Sequence, residues 1–148
     1  MKRAILICVL LLATLLVACG GSEIPEVMPD TLIVGDGTTS KSYSVADLEA
    51  LAVTDATFEE VTYKGVSLPT LLADAGFDAG ALRAIKAVAA DGYSVNYDPV
   101  LFQRADVIVA YATVSGALAR EDGVFRMVLP GEEGKLNARM LAEIKVTK

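Results

Sequence analysis

The sequence predicts an α+β domain, a mixed β-sheet with short helices packed around it. Three observations carry this expectation. Segments with strand character outnumber those with helical periodicity. Each helical pattern is short and closed by its own cap or breaker. Residues 107–114 form a continuous apolar run, which suits a central strand buried on both faces.

In chain order, Thr31-Leu32-Ile33-Val34 is a short apolar strand that stops at the turn cluster Gly35-Asp36-Gly37, and residues 38–43 return as its hairpin partner. Ser44 precedes Asp47 by three residues, the spacing of a capping box. Val45, Leu48, Leu51 and Ala52 then mark one helical face. Residues 57–63 alternate and are rich in β-branched and aromatic types, predicting one strand ended by Lys64-Gly65. Ser67 caps a second helix with Pro69 in its first turn and Gly76 at its end. Leu68, Leu71, Leu72 and Ala75 give that helix its buried stripe. Residues 85–89 and 93–97 flank Ala90-Asp91-Gly92 as a hairpin, and Asp98-Pro99 opens a helix of one or two turns. Residues 125–129 form a strand broken by Pro130-Gly131, and residues 144–147 close the chain as another.

The N-terminus reads as an address. Lys2 and Arg3 precede an apolar run over residues 4–18, shorter than the roughly 20 residues a spanning helix needs and suited to a signal peptide. Leu16-Val17-Ala18-Cys19 resembles the lipobox of bacterial lipoproteins, in which the cysteine receives lipid. The plainer alternatives are an uncleaved anchor and an ordinary secretory signal. The expected organisation is a signal peptide over 1–18, a flexible tether over 19–30 containing Pro25 and Pro29, and a folded domain over 31–148. The expected location is the extracytoplasmic side of the cell envelope, with the membrane as a partner through lipid on Cys19.

Composition narrows the chemistry. The chain is 53% hydrophobic, but 15 of its first 18 residues are apolar, so the rest is about 49% apolar and ordinary for a globular domain. Loss of Lys2 and Arg3 with the leader moves the net charge from −6 to −8, which leaves no footprint for nucleic acid. There is no histidine, which argues against most zinc enzymes and every Ser-His or Cys-His hydrolase. The cysteines are Cys8 in the leader and Cys19, so the domain has no thiol for a disulfide, a metal or a nucleophile.

A resemblance enters through residues 63–76, Tyr-Lys-Gly-Val-Ser-Leu-Pro-Thr-Leu-Leu-Ala-Asp-Ala-Gly, followed by Ala90-Asp91-Gly92-Tyr93. It continues through Val109-Ala110-Tyr111, Gly116-Ala117-Leu118 and residues 123–131, then past Gly134 to Ile144-Lys145-Val146. This order resembles the oxidoreductase molybdopterin-binding domain of the sulfite oxidase type, over nearly all of residues 31–148. The resemblance implies a mixed α+β fold. In catalytic relatives it also implies a cysteine thiolate on molybdenum, completed by a pterin dithiolene. Here no cysteine follows Cys19, and residues 52–62 are a short stretch where the cofactor-bearing loop belongs. A hydroxyl or carboxylate is a poor substitute for a soft thiolate. No cofactor is therefore expected, and molybdopterin enters by family resemblance alone.

The resemblance also places basic residues after Pro130-Gly131, where relatives contact the anionic end of the cofactor. Arg139 falls at such a position, with Lys135 nearby but out of step. An arginine fork and a lysine ammonium both suit a phosphate or carboxylate, and Asn137 adds a neutral hydrogen bond. Glu132 and Glu133 oppose this role, and a solvated charged loop is the plainer reading. Tyr93 is a candidate donor in a cleft, or simply the residue after a hairpin turn. Arg126, inside an apolar strand, either reaches solvent at an edge or pairs with an acid near the pocket. Glu59 and Glu60, adjacent in the expected strand, would point to opposite faces and form no acid/base dyad.

Three functions remain open. One is a lipid-anchored, non-catalytic binding module for a small anionic ligand or a partner protein. The second is a molybdopterin-dependent oxidoreductase with an atypical metal site. The third is an accessory subunit docking beside a membrane redox complex through an exposed sheet edge. The missing Cys and His favour the first.

Overall fold

The computed structural model describes residues 27–148. The leader, Cys19 and the tether up to residue 26 lie outside the described residues.

The domain holds ten strands in two sheets. The first contains β1 (Leu32–Gly35), β2 (Ser40–Tyr43), β5 (Ala84–Ala89), β6 (Ser94–Tyr97) and β10 (Leu141–Thr147), in the order β2-β1-β10-β5-β6. Only the β1–β10 pairing is parallel, so this sheet is mixed. The second contains β3 (Val53–Phe58), β4 (Val61–Ser67), β7 (Ile108–Thr113), β8 (Gly116–Ala117) and β9 (Arg126–Val128). β7 lies at its centre, with β4 along one side and β8 and β9 along the other. The observed class is the expected α+β, with the strands divided between two sheets.

One core joins the sheets, with Leu32, Val34, Ile144 and Val146 from the first meeting Val66, Val109, Met127 and Tyr111 from the second. A smaller cluster of Ala56, Tyr63, Ile108, Ala110 and Val128 covers the opposite face of the second sheet. Successive β7 residues alternate between these two apolar environments, which explains the unbroken apolar run there.

Local signals place the helices. Ser44 and Asp47 form the expected capping box on α1 (Val45–Glu49), whose Leu48 is buried. Ser67 caps α2 (Leu68–Asp74) by accepting from the Thr70 amide, and Leu68, Leu71 and Leu72 are fully buried beneath it. The Asp98 carboxylate accepts from the Leu101 amide at the start of α3 (Pro99–Phe102).

Two segments depart from the pattern in the sequence. Residues 57–63 are not one strand: Glu59 and Glu60 form the tight turn between β3 and β4, with φ of 48° and 67°. Asn and Gly usually supply such left-handed turns, so two glutamates inside an alternating run leave no turn signal. Neither glutamate lies in a strand, which removes the premise that they point to opposite sheet faces. The final strand starts at Leu141, three residues early, because an irregularity between Leu141 and Glu143 lets pairing with β5 continue.

Titratable groups predict a broad pH plateau of stability. Hydrogen bonds from Lys148 and the Thr39 and Thr38 amides hold the Asp36 carboxyl far below its ordinary range. Lys41 and Tyr43 lower Asp74, Ser44 lowers Asp47, and Arg104 lowers Asp106. Burial raises Tyr43, Tyr63, Tyr97 and Tyr111. Lowered carboxylates contribute stability above their unfolded pKa of about 3.9 and lose it as pH falls through their folded values. Raised tyrosines contribute below about 10 and lose it as pH rises through theirs. With no histidine to titrate between, urea midpoints are expected to stay level from about pH 5 to 9 and fall outside that window. A step near pH 6.5, the ordinary histidine range, would contradict this assignment.

Candidate functional site

Three connections from the middle and end of the chain converge beside the smaller core. A ladder of backbone hydrogen bonds lays residues 138–141 along residues 122–127: Met127 N to Ala138 O at 2.8 Å, Met140 N to Asp122 O at 2.7 Å, and Leu141 N to Phe125 O at 2.7 Å. This ladder carries Arg139 to Asp122 and Arg126, from which it is distant in sequence. The β3–β4 turn and the β5–β6 turn complete the walls. Together they enclose a cleft of about 490 Å³, within the size range of small-ligand pockets. Of the sequence candidates it gathers Tyr93, Arg126, Lys135 and Arg139.

Arg126 lines the cleft although only 2% of its surface is exposed. A buried guanidinium needs a counter-charge and hydrogen-bond partners. Its Nη1 donates to Asp122 Oδ1 at 2.7 Å and to the Tyr63 hydroxyl at 2.8 Å. Its central carbon lies 4.6 Å from the Tyr63 ring centroid and 5.8 Å from that of Phe58, a cation–π arrangement. Of the two readings of Arg126, pairing with an acid near the pocket is the one observed. Nη2 makes no hydrogen bond among the described residues, yet no buried polar side-chain atom is left without a partner. Nη2 is therefore not fully sealed from solvent, and Arg126 is among the residues that line the cleft.

Asp122, itself 5% exposed, serves two arginines: its Oδ1 also lies 3.4 Å from Arg139 Nε. One carboxylate between two guanidiniums leaves a positive excess of one charge. Arg139 is half-exposed and faces solvent as well as the cleft.

The remaining candidates separate into walls and scaffold. The Tyr93 hydroxyl donates to the Lys135 carbonyl at 2.5 Å, and the Tyr97 hydroxyl to the Leu136 carbonyl at 2.6 Å. Two tyrosines bracketing β6 thus clip down the Gly134–Leu136 3₁₀ turn. Lys135 points its ammonium to Glu133 at 2.6 Å, with both side chains well exposed, an arrangement worth little energy. Asn137 corrects the sequence expectation. It is 3% exposed and absent from the cleft lining; its Oδ1 accepts from the Leu129 amide at 2.7 Å and its Nδ2 donates to the Glu133 carbonyl at 3.2 Å. Buried so deeply, the amide must satisfy itself on backbone groups, so it shapes the loop instead of meeting a ligand.

Sequence reasoning missed Asp122, Phe58 and Met140, which bring the counter-ion and two apolar surfaces. It also could not tell that Glu132, read as opposing an anion, is occupied by Arg104 at 2.8 Å. Glu59, Asp91 and Glu121 line the cleft as well, all exposed and none in an ion pair among the described residues. Asp122 stands four residues before Arg126, a spacing that marks a pair on a helix face, but here it runs from a 3₁₀ turn into β9.

The model of the oxidoreductase molybdopterin binding domain matches residues 24–148. The chain belongs to this family. No curated protein matches it. Among solved structures, the sulfane dehydrogenase SoxCD from Paracoccus pantotrophus is similar, at 20% identity and a TM-score of 0.67. The alignment covers 79% of this chain and 38% of that one, so this chain spans well under half of its length. At this identity the likeness concerns the fold.

Residues 52–62, the short stretch noted in the sequence, form most of the β3–β4 hairpin. The donor set does not suit molybdenum. Residues 27–148 contain no cysteine or histidine, and among the described residues no group of three or more metal-ligating side chains is assembled. The cationic floor suits an acidic group, but the three exposed carboxylates would oppose a phosphate of higher charge.

Proposed function

We propose that this member of the family is a lipid-anchored, extracytoplasmic binding domain that holds a small anionic ligand without catalysing a redox reaction. The observation that carries the reading is buried Arg126, its Nη2 without a protein partner among the described residues, in the lining of a concave cleft whose donor set lacks a thiolate. Arg126 supplies a fixed, pre-ionised donor, because Asp122 and Tyr63 hold its guanidinium in place before any ligand arrives. Arg139 adds a second planar donor at the side, and Phe58, Tyr93 and Met140 offer apolar contact. Lipid on Cys19 would hold the domain at a membrane surface, with the following residues as a tether.

Metal analysis of the protein purified from cells that make molybdopterin tests the central point. Molybdenum well below one atom per chain is expected, and a stoichiometric amount would overturn the proposal in favour of the catalytic reading. The cleft is tested with 4-methylbenzoate as the probe. Arg139→Ala is expected to weaken its binding about tenfold, and Lys135→Ala to leave it nearly unchanged. Equal retention by both variants would remove Arg139 from the site. Metabolic labelling with palmitate checks the anchor: incorporation is expected in the parent protein and lost in Cys19→Ser.

A further inference from the structure

We propose that the cleft recognises a zwitterion, a small molecule with a carboxylate at one end of a flat apolar body and an ammonium or amidinium at the other. The inference deepens the proposed reading of the cleft as a ligand site and rests on it. It follows from how charge is distributed with depth.

The buried part of the lining, its floor, is positive. Arg126, its side chain only 3% exposed, keeps Nη2 without a protein partner among the described residues, and half-exposed Arg139 shares the carboxylate of Asp122 with it from the side. The mouth is negative and wet. Glu59, Asp91 and Glu121 are exposed, line the same cleft and have no cationic partner among the described residues, whereas Lys135 is already paired with Glu133. The ring of Phe58, the ring of Tyr93 and the flexible side chain of Met140 add apolar surface to the same lining.

A ligand carrying only negative charge gains the floor but meets three uncompensated carboxylates on the way in. A ligand carrying only positive charge gains the mouth and is repelled by the floor. A molecule with both charges complements both layers, and the like-charge contacts become the means of rejecting the other two classes. The charges must stand apart. In an α-amino acid the ammonium sits one carbon from the carboxylate, which would press it against the arginine pair. A benzene-sized body between the two groups matches the apolar part of the lining and a cleft of about 490 Å³.

Calorimetric titration of the full chain in detergent compares three probes that share one ring: 4-(aminomethyl)benzoate, 4-methylbenzoate and 4-methylbenzylamine. The zwitterion is expected to bind at least about tenfold more tightly than either singly charged analogue. In the Glu59→Gln/Glu121→Gln double variant, both side chains being exposed and outside any ion pair among the described residues, the zwitterion is expected to weaken and 4-methylbenzoate to strengthen. This crossover is something a general loss of structure cannot produce. If 4-methylbenzoate binds the parent as tightly as the zwitterion and still depends on Arg139, the zwitterion inference falls while the anion-binding reading stands. A shift of both probes in the same direction in the double variant overturns the inference too. If none of the three binds, the inference and the reading beneath it fall together.

Discussion

Asp122→Ala is expected to destabilise the domain by about 3–5 kcal/mol, because it strips the counter-ion from a guanidinium that is almost wholly buried. Arg126 is 2% exposed and Asp122 5%, and their 2.7 Å contact is the buried ion pair of the smaller core. The Tyr63 hydroxyl would remain as a dipole, which stabilises a cation far less than a carboxylate does. Asp122→Asn keeps an acceptor at the same place and should lose less. Adding Arg126→Met to Asp122→Ala removes the stranded charge and is expected to recover much of the loss. Urea denaturation of the four proteins reads these differences directly. A loss below about 1 kcal/mol in Asp122→Ala would mean the pair behaves as a surface ion pair, contrary to its burial.

Gly65→Ala is expected to cost about 3 kcal/mol or more. A Cβ at Gly65 would lie 2.1 Å from the Val109 carbonyl oxygen and 2.7 Å from Ala110 Cα, both backbone atoms of β7. β7 cannot give way, since apolar clusters press on both of its faces. The strain would fall on the β4–β7 pairing, at the register shift between Lys64 and Gly65. Gly92→Ala makes a useful contrast. Nothing lies within 4 Å of its added Cβ, but its φ of +89° disfavours a side chain, so a cost of about 1 kcal/mol is expected. Similar midpoints for the two variants would contradict the close approach at Gly65.

The strand end expected at Lys64-Gly65, where β4 in fact continues to Ser67, shows why part of the fold escaped local reading. Glycine after lysine looks like a strand terminator, yet here it is the residue that lets β4 and β7 come together. Close approach to another strand is a property of the partner, and nothing beside Gly65 in the chain announces it. The Glu59-Glu60 turn was hidden for the opposite reason: its backbone is one that other residue types normally mark. The candidate site was legible to the extent that Tyr93, Arg126, Lys135 and Arg139, singled out in the sequence, line one cleft. Its working geometry was not legible, because the Tyr63–Arg126 contact and the tyrosine clips on Lys135 and Leu136 join residues about 40 to 60 positions apart.

The sequence by itself determined the α+β class, the helix starts at Ser44, Ser67 and Asp98, the hairpins at Gly35-Asp36-Gly37 and Asp91-Gly92, and the lack of any thiol or imidazole in residues 27–148. Each of these is settled within a few residues or by composition, since a cap or a turn satisfies its own backbone groups locally. Packing alone decided that Arg126 and Asp122 are buried together, that Asn137 holds a loop, and that Arg126, Arg139 and three exposed carboxylates line one cleft. Burial is set by which segments pack together, and a charged residue carries the same letter whether it meets water or a counter-ion.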